Sequence, residues 1–133
     1  MMAVDTSVWV DFFRANPTPE VQHLRECLAT SPSDVVLIDL VVTEVLQGIR
    51  REVDVPRVES RLSKFNVLGL QHMADFRAAA GLYRAARRNG HTIRSTIDCL
   101  IAAICMREDV PLLHSDKDFD RLAAIATLNV VDV

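Results

Sequence analysis

The chain has 133 residues, half of them hydrophobic and a quarter charged, as expected for a soluble globular protein of one domain with a proper core. Only 5% are aromatic, so that core must be built from Val, Leu, Ile and Ala. The formal net charge of −3 argues against a basic-patch nucleic-acid binder.

Taken in chain order, short apolar runs alternate with helical periodicity. MMAV (1–4) reads as a strand. SVWVDFFR follows as a short helix ending near Asn16 and Pro17. PEVQHLRECLAT is helical, with Val21, Leu24 and Leu28 on one face, and SPSD is a loop. VVLI (35–38) is a buried strand, and Asp39 is placed to cap the next helix, LVVTEVLQGI. PRVESRLSKF is a helix entered through Pro56, and NVLGL a strand. HMADFRAAAGLYRAARRNG is a long helix stopped by Gly90. STIDCLIAAICMRE is a helix whose apolar stripe is too broad for a surface element. PLLHS is a strand, KDFDRLAAI a helix and LNVVDV a last strand. Strands alternating with helices imply an α/β fold with a mostly parallel sheet covered on both faces.

The three cysteines, Cys27, Cys99 and Cys105, match no CxxC spacing. Cys99 and Cys105 lie in an apolar helix and read as small buried hydrophobes, and reduced thiols fit a cytoplasmic protein. No basic segment precedes a long apolar run, so no signal peptide is expected. STIDCLIAAICM is too short to span a bilayer and contains an acid.

Four acids share an unusual context. Asp5 and Asp116 follow strands, whereas Glu44 and Asp98 lie in the first turns of helices that start from the same sheet edge. Ligands of open parallel sheets bind just outside that edge. Carboxylates gathered there stay ionised together only around a positive charge, for which Mg²⁺ and Mn²⁺ are the natural candidates. Each acid also has a plainer reading. Asp5 could cap the helix after it. Asp98 follows Ser95, and Asp118 follows Ser115, in the S-x-x-D pattern of a capping box. For Asp118 and Asp39 the capping reading is preferred. Glu44, flanked by Val41, Val42, Val45 and Leu46, would be costly there without a partner.

In combination, AVDTSVWVDFF, TEVLQGI, TIDCLIAAI and LLHSDKDF resemble, in order and separation, the four acidic motifs of PIN-domain ribonucleases, nearest to the VapC group of toxins from toxin–antitoxin pairs. The resemblance covers essentially the whole chain. It implies one PIN domain over residues 1–133, a three-layer α/β/α sandwich with a mostly parallel central sheet. It also implies Mg²⁺-dependent (alternatively Mn²⁺-dependent) endonucleolytic cleavage of RNA. Asp5, Asp98 and Asp116 match the acids that hold the metal, and Glu44, with Gly48 four residues on, matches the acid that holds a second ion or orients water. Thr6, Ser7 and Ser115 match positions of supporting hydroxyls, with capping of the first helix left to Thr6 or Ser7. Arg94-Ser95-Thr96-Ile97 departs from the small residue or Gly that many relatives carry before the third acid.

Setting aside four negative charges from −3 leaves +1, so the remaining surface is near neutral. Arg84, Arg87 and Arg88 on one helix face, and Arg50 and Arg51, could track an RNA backbone or simply solvate helix exteriors. The resemblance further implies a VapB-type antitoxin, homodimerisation and a toxin–antitoxin hetero-oligomer. VQHLRECL and VESRLSKFNVL could form the antitoxin's groove or belong to the core. Of the rival readings, a haloacid-dehalogenase-type enzyme needs D-x-D where Asp5-Thr6-Ser7 stands. A receiver module needs adjacent acids after the first strand and a Lys after a late one, but Lys117 follows Asp116. A catalytically silent PIN-like binding module is the remaining alternative.

Overall fold

The computed structural model describes residues 1–133. Four strands, β1 (Met2–Val4), β2 (Val35–Ile38), β3 (Asn66–Leu68) and β4 (Leu112–Leu113), form one sheet in the order β3-β2-β1-β4, all parallel. Seven α-helices connect and follow them: α1 (Thr6–Phe13), α2 (Pro19–Thr30), α3 (Asp39–Gln47), α4 (Val55–Leu62), α5 (Met73–Arg88), α6 (Thr96–Glu108) and α7 (Lys117–Ile125). The steps β1 to β2 and β2 to β3 run one way along the sheet, and the step to β4 crosses back. Right-handed crossovers therefore put α1–α4 on one face and α5–α6 on the other. The packing agrees, since α5 lies against α6 and α7, while α1 packs on α2 and α3. The reversal of direction falls between β1 and β4, where an open sheet leaves a crevice at its carboxyl edge.

β1 and β2 are buried at every position, which is why they read as unbroken apolar runs. The segment Cys99–Cys105 of α6 is buried throughout, accounting for its broad apolar stripe. Trp9 stacks on Phe13, meets Phe12 edge-on and touches Phe65, so four of the seven aromatics cluster at α1. Gly90, at φ +84°, takes the left-handed position that stops α5. No helix is long and apolar enough to cross a membrane.

Three expectations need correction. LNVVDV is no strand but a single bridge, Val130 to Leu112, because β4 offers only two residues of edge. SPSD contains a 3₁₀ turn over Pro32–Asp34. Asp39 is the first residue of α3 rather than its N-cap, which is Ile38. Its carboxylate accepts from the Leu40 and Leu70 amides at 2.7 and 3.1 Å and so ties α3 to the exit of β3. Gly69 leaves room beside it, since a Cβ there would lie 2.6 Å from Asp39 Oδ2 and push that carboxylate aside.

At the far end of α6, Arg107 Nε donates to buried Asp75 at 2.9 Å and its terminal nitrogens to Gly69 O and Glu108, both at 2.6 Å. This pins the start of α5 to the end of α6. Removing one partner of a buried pair strands the other charge, so Asp75→Ala should lower the unfolding free energy by about 3 kcal/mol in urea titrations. A loss under about 1 kcal/mol would show the pair to be incidental.

Candidate metal centre

The crevice between β1 and β4 is an open cleft lined by eight residues, none hydrophobic: Asp5, Thr6, Ser7, Glu44, Arg94, Ser95, Asp98 and Asp116. Four acids from four distant segments thus face one space. Asp5 ends β1 and is buried. Its Oδ2 accepts from the Ser7 amide at 3.0 Å and the Ser7 hydroxyl at 2.7 Å, capping α1. Its Oδ1 is buried with no hydrogen-bond partner. Such an orphaned oxygen is costly unless something positive meets it.

Asp116 follows the same plan at the other strand. It is the N-cap of α7, its Oδ1 accepting from the Asp118 amide at 3.0 Å. Its own amide donates to His114 Nδ1 at 3.0 Å, which leaves Nε2 of that ring as the protonated nitrogen facing Asp120. Asp98 stands in the first turn of α6; its carboxylate makes no protein hydrogen bond, and Ser95, the N-cap, does not use its hydroxyl in the cap. The capping box read for Ser95 and Asp98 therefore does not form. Glu44, half-buried on α3, accepts from the Thr6 hydroxyl at 2.7 Å.

The electrostatics follow from this crowding. Burial, then the charges of Asp5, Asp116, Glu44 and Asp118, push the Asp98 carboxyl up to about 7. Burial also raises Asp5 and Glu44, against the hydrogen bonds from Ser7 and Thr6. Asp118 behaves oppositely. Burial alone would raise it, but the Arg94 amide and the Arg121 and Arg94 guanidinium groups hold it below the usual carboxylate range. Oxygens of Asp98, Asp116 and Asp118 come within 4.8 Å of one another, a spacing that suits a metal ion. Both oxygens of Asp118 are, however, taken by Arg94 and Arg121, so the acids left to meet a cation are Asp5, Glu44, Asp98 and Asp116, a set that fits a hard ion, being carboxylate oxygen throughout with Asp5 Oδ1 buried and unpartnered.

The hydroxyl positions divide. Thr6 and Ser7 reach the acids directly, but Ser115 acts through its backbone, its amide donating to Ser7 Oγ at 3.1 Å. Capping of α1 falls to the Asp5 carboxylate itself, not to Thr6 or Ser7. Likewise α7 is capped by Asp116, not by Ser115 with Asp118. Asp118 is instead fully buried between Arg94 and Arg121. Arg50, Arg51, Arg84, Arg87 and Arg88 are exposed, and none of them lines the acidic cleft. The cation that does line it is Arg94, which sequence reasoning treated only as a change in the entrance loop. Its signal was its place four residues before Asp98. The stripes Val21/Leu24 and Val58/Leu62 are buried core rather than an open groove. An open groove of about 420 Å³ lies instead over Val10, Phe13, Val45, Ile49 and Val58, its rim carrying Arg14, Arg50, Arg51 and Arg57 together with Asp54, which pairs with Arg57.

The family model described as PIN domain matches residues 2–125. The chain is 38% identical over 128 residues to VapC ribonuclease Mb1587 of Mycobacterium bovis and to Ribonuclease VapC11 of Mycobacterium tuberculosis, with 96% of each chain covered. Among solved structures, VapBC2 from Rickettsia felis, bound to a promoter DNA fragment, superposes with TM-score 0.77 at 18% identity, covering 99% of this chain and 98% of that one. FitAcB from Neisseria gonorrhoeae gives 0.75 at 19%, covering 99% and 97%. At these identities the two structures speak to the fold alone.

The raised Asp98 carboxyl carries a stability consequence. It binds its proton more tightly folded than unfolded, so without metal the protein should lose stability as pH rises from about 4 towards 7. Asp5 and Glu44 act in the same sense. Asp75 and Asp118, held low, contribute a constant amount above about pH 5. Melting temperatures in EDTA should therefore fall across about pH 5–7.5, and Asp98→Asn should make that slope shallower. A flat wild-type profile would contradict the crowding.

Proposed function

The chain belongs to the PIN domain family, in its VapC ribonuclease group, and on that premise we propose that it is the toxin of a toxin–antitoxin pair. It acts as a metal-dependent endoribonuclease, with residues 1–133 as one domain, and a cognate VapB-type antitoxin restrains it. The observation that carries this reading is the gathering of Asp5, Glu44, Asp98 and Asp116 in one apolar-free cleft, with Asp5 Oδ1 buried and unpartnered.

In this reading Asp5, Asp98 and Asp116 would hold Mg²⁺, with Mn²⁺ as the alternative. Such an ion supplies a water of lowered pKa and positive charge opposite the phosphate. The chain's own groups do the rest. Thr6 fixes Glu44, whose carboxylate orients the attacking water and accepts its proton, or takes a second ion. Ser7, itself held by the Ser115 amide, fixes Asp5 through Oδ2 and leaves Oδ1 without a protein partner. No protein nucleophile is needed. The exposed Arg50, Arg51, Arg84, Arg87 and Arg88 follow the RNA backbone outside the cleft. The groove over Val10, Phe13 and Ile49, with four arginines against the single acid Asp54 on its rim, suits an antitoxin segment that is apolar and acidic. Homodimerisation and a toxin–antitoxin hetero-oligomer in the cytoplasm complete the reading.

Purified protein should cleave single-stranded RNA in Mg²⁺ or Mn²⁺ and stop in EDTA. Asp5→Asn or Asp98→Asn should cut the rate by more than about 100-fold with the circular dichroism spectrum unchanged, and Ser7→Ala should weaken Mn²⁺ binding about 10-fold. RNA cleavage that persists in folded Asp98→Asn would sink the assignment.

A further inference from the structure

Arg94 is the one cation on the wall of the acidic cleft. It stands on the loop between Gly90 and Ser95, and it is attached unevenly. Its amide and Nε both donate to Asp118 Oδ2, at 3.1 and 3.3 Å. Asp118 is fully buried and is held on its other oxygen by Arg121 at 2.8 Å. The root of the side chain is therefore fixed. Its tip is not, since one terminal nitrogen reaches Asp116 Oδ1 at 3.1 Å while the side chain is 73% exposed. An ion pair that open contributes little. Its acceptor atom is also already engaged by the Asp118 amide. The terminal nitrogens can thus change partners at little expense, at the mouth of the cleft.

RNA meets a difficulty there. Four carboxylates repel a polyanion, and charge on the nonbridging oxygens increases as the phosphate is attacked. A guanidinium at the cleft mouth answers both, because its paired N–H groups match phosphate geometry and strengthen with the charge they face. Resting on the ribonuclease reading, we propose that Arg94 is a substrate-contacting residue. Its terminal nitrogens leave Asp116 and hydrogen-bond a nonbridging oxygen of the phosphate at the acidic cleft, while Nε stays on Asp118 as the pivot. Arg94 remains protonated throughout, and it makes and breaks no covalent bond.

The experiment compares wild type with Arg94→Gln, Arg94→Ala and Arg94→Lys in the full chain. Binding of a short fluorescent single-stranded RNA is followed by anisotropy in Ca²⁺ across about 50–200 mM salt, beside cleavage in Mg²⁺ and Mn²⁺ affinity by electron paramagnetic resonance. Arg94→Gln and Arg94→Ala should each lower kcat/KM about 100-fold. Each should also flatten the salt slope of log K by about 0.7, the amount expected when one phosphate is no longer neutralised. Arg94→Lys should keep the slope and recover only part of the rate, having charge without the fork. Arg94→Gln guards against misfolding, because its amide can still donate to Asp118. An unchanged salt slope in folded Arg94→Gln overturns the proposal, whether cleavage survives or falls together with Mn²⁺ affinity. The latter pattern would make Arg94 a counterion that only holds Asp116 and Asp118. A wild-type protein that cleaves no RNA in Mg²⁺ or Mn²⁺ would instead sink the ribonuclease reading beneath it.

Discussion

Mutual repulsion of carboxylates at one sheet edge is the constraint around which this molecule is arranged. Asp98 shows it most plainly: buried, without a hydrogen bond from the protein, and facing three other acids across a cleft, it holds its proton up to about pH 7. A chain folded only for stability would not assemble these groups, since each destabilises the ionised form of the others. A cation would resolve the conflict, and the cleft offers carboxylate oxygens to meet one. The protein already answers part of the problem with its own cation, for Arg94 bridges Asp116 and Asp118 at the rim.

The scaffold presents two of these acids by using the carboxylate twice. Asp5 caps α1 with Oδ2 and leaves Oδ1 free, and Asp116 caps α7 with Oδ1. Capping and cation binding are therefore compatible roles, because a carboxylate has two oxygens and a helix N-terminus needs only one. At Asp5 the cap and the Ser7 hydroxyl together fix the side chain's direction. The amide of Ser115 on the hydroxyl of Ser7 then locks the exits of β1 and β4 together. Behind them, the topological reversal between those two strands opens the crevice.

Much of this was legible in the sequence, for identifiable reasons. Fully buried strands such as Val35–Ile38 announce themselves as apolar runs, and a helix buried all round, Cys99–Cys105, as one with no polar face. Four acids at strand ends and in first helical turns pointed to one edge, and Asp5, Glu44, Asp98 and Asp116 do line one cleft. What local pattern could not supply was competition between partners. The S-x-x-D spacing at Ser115 and Asp118 fits a capping box, yet the cap went to Asp116 because the Arg94 amide and two guanidinium groups claimed Asp118. LNVVDV has the composition of a strand, but pairing depends on how much edge β4 leaves, and that is two residues. Arg94 escaped notice because its meaning lies in hydrogen bonds made 22 and 24 positions away.

The central claim is that the crowded acids are held for a divalent cation, and proton release on binding tests it most directly. Mn²⁺ titrated calorimetrically into metal-free protein near pH 6.5, in two buffers of different ionisation enthalpy, reports the protons displaced. The wild type should release protons on binding, and Asp98→Asn should release fewer, with much weaker binding in the variant. Binding of equal strength in Asp98→Asn, or binding to the wild type that releases no proton, would contradict the claim.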